Sequence, residues 1–170
     1  TAIFDERSVN ILSFHRLAKF NKFNPKKFLD SLNKKFLVSK KSRFQNPIEP
    51  GDLMIYLNKI WYSVLLRSDP KIYSKYETDV DIVEKIIIKN IANKNQNNSL
   101  ISVVNLPGLS VHKKLMKEVD SRRADIGFFI CPMPMKKIMS IADRGKIVPK
   151  KSTYFDPKPA DGLVNLLMDI

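Results

Sequence analysis

The sequence holds one cysteine, two histidines and one tryptophan in 170 residues. One cysteine excludes a disulfide framework, and two histidines beside it are too few for a zinc site of the usual His and Cys donors. The lone thiol fits a reducing, cytoplasmic compartment. No apolar run approaches the roughly 18 residues that a membrane span requires, so no membrane partner is expected. No secretory leader pattern is present. The first residue is Thr1, not Met, which fits a processed product or a fragment. With only five glycines, the ten prolines do not signal a collagen-like chain or a flexible linker. Arginine is scarce, with seven among the 30 basic residues, and the 17 acidic residues leave a net charge of +13.

What is present is an ordinary globular composition. Apolar residues make up 44% of the chain, too many for disorder and enough for one domain with a sizeable core. A charge of +13 points toward a polyanion such as nucleic acid or a nucleotide. The lysines, however, are spread along the chain, and arginine, whose planar fork reads guanine and phosphate, is rare. Abundant Lys, Asn and Ile also fit compositional drift.

The coarse reading is α+β, with a mixed or antiparallel sheet, about four helices and no regular βαβ repeat. Ala2 to Phe4 reads as the end of a strand, and Ile11 to Phe14 as a short apolar strand with His15 and Arg16 at its end. Asn24 and Pro25 open a helix as cap and first-turn proline, with Phe28, Leu29, Leu32 and Phe36 on one face. Leu53 to Leu57 and Trp61 to Leu66, split by Asn58 and Lys59, form a hairpin pattern. Thr78 or Asp79 caps a helix with Val80, Val83, Ile86, Ile87 and Ile91 inward, and Asn90 to Ser99 reads as a solvated loop. Leu100 to Val104 is a strand. Ser110 to Arg122 is a helix burying Val111, Leu115 and Val119, with His112 at the surface. Asp125 to Cys131 is an apolar strand with a core cysteine. Pro134 starts a helix with Met135, Ile138, Met139 and Ala142 inward, and Gly145 ends it. Lys146 to Ala160 reads as an aperiodic loop, and Leu163 to Met168 as a last strand.

Gly145 to Thr153 invites comparison with a phosphate-binding P-loop. Lys150 stands where the second glycine belongs, and the prolines that follow oppose the helix such a loop requires, so the P-loop is rejected. The segment is still dense in chemistry. Lys150, Lys151 and Lys158 are cations, Ser152, Thr153 and Tyr154 carry hydroxyls, and three prolines stiffen it. Such a loop can hold an anion, or it can be a rigid crossover with solvated lysines. His15 and Arg16 project from a strand end toward a cleft, or are simply packed. Asp5, Glu6, Asp52 and Asp143 are scattered carboxylates, no catalytic triad is evident, and no metal site is expected.

The stretch from Asp125 to Lys158 resembles the end of the domain of unknown function 1015 family. The match lies in Ala142-Asp143, Gly145, Pro149, Lys151 to Phe155, Pro157-Lys158 and Gly162-Leu163, with Val148 replacing the usual Met and Asp161 the usual Ser. Ile11 to Arg16 resembles the family's strand followed by His-Arg, and Thr78-Asp79-Val80 its Leu-Asp-Val helix start. Members of that family are about twice this length or longer. Their upstream half carries an Asp-Gly-His-His-Arg motif, similar to motifs of ParB-like nucleases and free-serine kinases, which this chain lacks. The resemblance therefore implies one domain over residues 1–170, the C-terminal half of a cytoplasmic protein, with the upstream half as its partner. It implies a phosphorylated small ligand or a nucleotide with magnesium, bound by Lys151, Ser152, Thr153, Tyr154, Lys158, His15 and Arg16, in a protein related to phosphotransferases. Catalytic groups would lie upstream, leaving this part alone inactive. The alternatives are a ParB-like nucleic-acid-binding module and a purely structural half-domain.

Overall fold

The computed structural model describes residues 9–93, 99–108 and 110–158. Its spine is β1 (Asn10–Phe20), which continues well beyond the short apolar run expected from sequence. β1 pairs with β5 (Leu100–Pro107), with β6 (Ile126–Ile130) and, through its first residues, with β7 (Thr153–Asp156). β3 (Asp52–Leu57) and β4 (Ile60–Leu65) form the expected hairpin, and β2 (Leu37–Lys41) adds to β4. The resulting order is β2-β4-β3-β6-β1-β5, with β7 on β1, and every pair is antiparallel. The α+β reading holds, with an antiparallel open sheet.

Both faces of the sheet are covered, because alternate strand residues point to opposite sides. Leu53, Ile55, Leu57, Phe128 and Ile130 face a core closed by α1 (Pro25–Asn33) and, after the short α2 (Pro70–Tyr73), by the helix that starts with α3 (Asp79–Asp81). Met54, Tyr56, Leu17 and Phe129 face α4 (His112–Asp120), which contributes Leu115 and Val119. Gly127 lets α4 come this close: a Cβ there would lie 2.2 Å from Leu115 Cδ2.

The helix starts follow their local chemistry. Asn24 accepts from Lys27 N with Pro25 in the first turn, and Thr78 accepts from Asp81 N. α3 continues as a π-helical stretch, Ile82–Asn93. Its buried pairs Ile82-Val83, Ile87-Ile88 and Ile91-Ala92 recur at intervals of five and then four positions, wider than the 3.6-residue repeat of an α-helix and in keeping with i→i+5 bonding. Sequence periodicity predicts an ordinary helix here because it tests only the 3.6 repeat.

Several expectations need correction. β2 lies where the sequence shows only the tail of a helix pattern, because edge pairing to β4 supplies a partner that no local signal reveals. In α5 (Met135–Asp143) the buried residue is Ile141, whereas Met139 is 58% exposed and Ala142 is exposed. The segment read as an aperiodic loop contains β7. His112 is half-buried and stacks on Phe44 at 4.6 Å. Gly145 does end α5, at φ +65, and Cys131 is buried. The solvated loop expected from Asn90 begins later, because Asn90 to Asn93 complete the π-helical stretch and Ile91 and Ala92 are buried in the core. Residues 94–98 of that loop, Ala2 to Phe4, Gly162-Leu163 and Leu163 to Met168 lie outside the described residues. No helix among the described residues is long and apolar enough to cross a membrane.

Candidate functional site

Arg16 sits on β1 with no solvent exposure. A buried guanidinium needs partners for its fork of N–H donors, and here each of its three nitrogens has one. Nε donates to Glu84 Oε1 at 2.9 Å, from the π-helical stretch. Nη1 donates to the Phe14 carbonyl at 2.8 Å. Nη2 donates to the carbonyls of Lys151 at 3.0 Å and Lys150 at 3.5 Å. Arg16 is thus a clamp that ties the β1 backbone, the π stretch and the 149–156 segment together. All three guanidinium nitrogens are engaged by these partners.

His15 points to the other face of β1. Its Nδ1 accepts from Ile130 N at 3.1 Å, so Nε2 carries the proton and donates to the Gly108 carbonyl at 2.8 Å. The ring stacks on Phe129 at 3.7 Å. Burial pushes the imidazole down to about 4, outweighing the Gly108 bond that raises it, with the Arg16 charge adding to the fall. His15 is therefore neutral at pH 7 and occupied on both nitrogens.

The clamped segment displays the rest of the expected site. Lys151 has φ +56, a left-handed conformation unusual for a side chain that is not glycine. Its exposed ammonium lies 5.3 Å from the centre of the Phe14 ring. Tyr154 meets Phe14 edge-on at 5.8 Å, and Lys158 Nζ lies 5.1 Å from the Tyr154 ring. Two ammonium groups thus flank one aromatic pair at the surface. Thr153 and Tyr154 belong to β7, in register with Ser13 and Leu12. Ser152 is buried, and its hydroxyl donates to the Pro149 carbonyl at 2.6 Å, stiffening the turn. The structure therefore brings Lys151, Tyr154 and Lys158 together at the surface, with Ser152, Thr153 and Arg16 as their support. It directs His15 away from them.

Behind Ser152 lies a cavity of about 130 Å³, lined also by Ser13, Tyr73, Asp79, Cys131 and Lys137. Asp79 Oδ2 accepts from Gly51 N at 2.7 Å. Burial raises the Asp79 carboxyl to about 6, and the nearby Asp52 charge adds to this, while the Gly51 bond and the Lys137 and Arg67 charges oppose it. Burial also raises the Cys131 thiol to about 12, so it is no nucleophile at neutral pH. Sequence reasoning missed Asp79 and Glu84 as members of this region. Asp79 was legible only as a helix cap, and nothing local pairs Glu84 with Arg16.

The fold is shared with known structures. Free serine kinase, in a mutant form in complex with ADP, matches at 14% identity with a TM-score of 0.50, covering 91% of this chain and 58% of that one. A conserved hypothetical protein from Pyrococcus furiosus matches at 14% identity and a TM-score of 0.52, covering 89% and 57%. SbnI from Staphylococcus aureus, with a C-terminal truncation, matches at 15% identity and a TM-score of 0.50, covering 90% and 52%. At these identities the similarity is one of fold. The chain spans little more than half the length of each of these structures. No family model matches the chain, and no curated protein matches it.

Proposed function

We propose that the chain is the C-terminal part of a phosphotransferase-like protein of the domain of unknown function 1015 family, and that the segment from Pro149 to Lys158 binds the phosphate of a nucleotide or another phosphorylated ligand. The observation that carries this reading is the Arg16 clamp. A wholly buried guanidinium holds one short segment by its carbonyls and fixes the backbone from which the exposed Lys151 projects. Prepositioned cations stabilise phosphate oxygens without reorganising when charge develops. Lys151 and Lys158 are the phosphate contacts, Thr153 and Tyr154 supply hydroxyls nearby, and Arg16 and Ser152 position the segment. The fold shared with a serine kinase bound to ADP supports the same ligand class. The cavity at Asp79 is the adjoining place for a small polar group. Catalytic carboxylates and the magnesium that accompanies a nucleotide belong to the upstream half of the full-length protein.

The ParB-like reading draws on the positive charge. The lysines of α1 (Lys26, Lys27) and of the π stretch (Lys85, Lys89) lie over one face of the sheet, and those of α4 (Lys113, Lys114, Lys117) over the other. Charge on both faces favours a small ligand over a single nucleic-acid footprint.

The test is a thermal-shift series on the full-length protein with ATP, ADP, GTP, inorganic phosphate and single-stranded DNA, each with and without magnesium. A ligand that binds only the native state raises Tm by mass action. Stabilisation by a nucleotide or phosphate that is lost in the Lys151→Ala, Lys158→Ala double variant supports the proposal. Stabilisation by DNA alone, erased by salt, favours the ParB-like reading. No stabilisation by any of them leaves the segment a structural crossover.

A further inference from the structure

The two edges of the sheet differ in chemistry. β2, at one edge, has the sequence Leu-Val-Ser-Lys-Lys, and its two lysines guard it against pairing with another chain. β5, at the other edge, reads Leu-Ile-Ser-Val-Val-Asn-Leu-Pro and carries no charge, in a chain of net charge +13. Ile101 is 60% exposed and Val104 50% exposed. Among the described residues, no strand pairs with the outer side of β5.

The ladder determines which groups face outward. Gly108 N donates to Ser13 O, and the register continues as His15↔Leu106, Leu17↔Val104 and Lys19↔Ser102. Hydrogen-bonded and non-bonded pairs alternate in an antiparallel ladder. Ser102, Val104 and Leu106 therefore spend their main-chain groups on β1, and the N–H and C=O of Val103 and Asn105 point away from the sheet. Beside this edge, between β5 and α4, runs a groove of about 390 Å³ with Leu17, Leu106 and Ala124 among its lining residues and Lys114 and Glu118 on its helix side.

We propose that β5 is a self-pairing edge, and that a second copy of this chain adds its own β5 antiparallel, with Val104 opposite Val104. In that register Val103 of each copy exchanges both main-chain bonds with Asn105 of the other. The small Ser102 faces the large Leu106, and the two Val104 side chains meet in the close, non-bonded position above the groove. No charge is brought into contact along the strand. The remaining charges repel, since both copies carry +13. Added salt screens that repulsion while leaving the main-chain bonds intact, so association strengthens with ionic strength. Nucleic-acid binding has the opposite sign.

The experiment is light scattering after size exclusion on the full-length protein, over a concentration series at low and high salt. The expected result is a concentration-dependent dimer that salt favours. Val104→Lys sets two cations opposite each other at the symmetry axis and weakens dimerisation about tenfold or more. Val104→Thr, of similar shape and uncharged, retains it. An unchanged Tm for Val104→Lys, measured at a concentration where both proteins are monomeric, shows that the fold persists at this half-exposed position. A monomer at every concentration, as when another strand of the full-length polypeptide covers β5, overturns the proposal. So does a dimer indifferent to Val104→Lys.

Discussion

The guanidinium of Arg16 donates to the main-chain carbonyl of Lys151, 135 positions away, from a side chain with no solvent exposure. The contact links the spine of the sheet to the segment that carries the candidate phosphate contacts. It also explains why a His-Arg pair at a strand need not touch a ligand to matter for binding one.

Arg16→Met leaves the carbonyls of Phe14, Lys150 and Lys151 without donors and Glu84 without its partner. Glu84 is about one-third exposed, 35%, which tempers the cost. The expected loss is about 2–4 kcal/mol in urea denaturation. Hydrogen exchange at Thr153 to Asp156 should accelerate more than exchange at β3. Equal protection of β7 in the variant would remove the clamp from the account.

Two buried groups give opposing pH dependences. His15 titrates near about 4 in the fold against 6.5 when unfolded, so its contribution is complete above pH 6.5 and is lost as pH falls through 4. That amounts to about 3 kcal/mol. Asp79 is raised from 3.8 to about 6, so the fold retains its proton and stability is lost as pH rises from 3.8 through 6. Between pH 4 and 6 the two slopes oppose each other. Wild-type stability should be nearly level there, and Asp79→Asn should show a clear fall toward acid pH. A urea-denaturation series at stepped pH measures both, and parallel curves for the two proteins would refute the assignment.

Gly127→Ala places a methyl group 2.2 Å from Leu115 Cδ2, with the rest of that side chain also close. Overpacking of this kind costs about 1–3 kcal/mol. In a Leu115→Ala background the same substitution should be almost free, and the double-mutant cycle reports that coupling directly.

The β3–β4 turn has Asn58 at φ +48 and Lys59 at φ +62. Both angles fit the two-residue hairpin turn in which Asn-Gly is the preferred pair. Lys59→Gly should stabilise the protein by about 0.5–1 kcal/mol, because glycine enters the left-handed region without steric cost. Thermal denaturation gives the sign.

What could be read from the sequence was local. Asn24-Pro25 and Thr78 announce their helices because a side-chain acceptor and a missing N–H act within a few residues. The hairpin announces itself through two apolar runs around Asn58-Lys59. Lys151 to Lys158 stood out as a group because its chemistry is contiguous. The π repeat was missed because the expected period was wrong, and β2 and β7 because their evidence is a partner strand far along the chain.

The sequence by itself determined the α+β class, the caps, the hairpin and the dense segment near the C-terminus, since each depends on neighbours in the chain. Only the tertiary structure decided the roles within that segment. Whether Arg16 reaches a ligand or a carbonyl, whether His15 is free or held on both nitrogens, and whether Asp79 lines a cavity all depend on groups more than 25 positions away. Burial then sets their charge states, because desolvation acts on a group through everything packed around it and not through its neighbours in sequence.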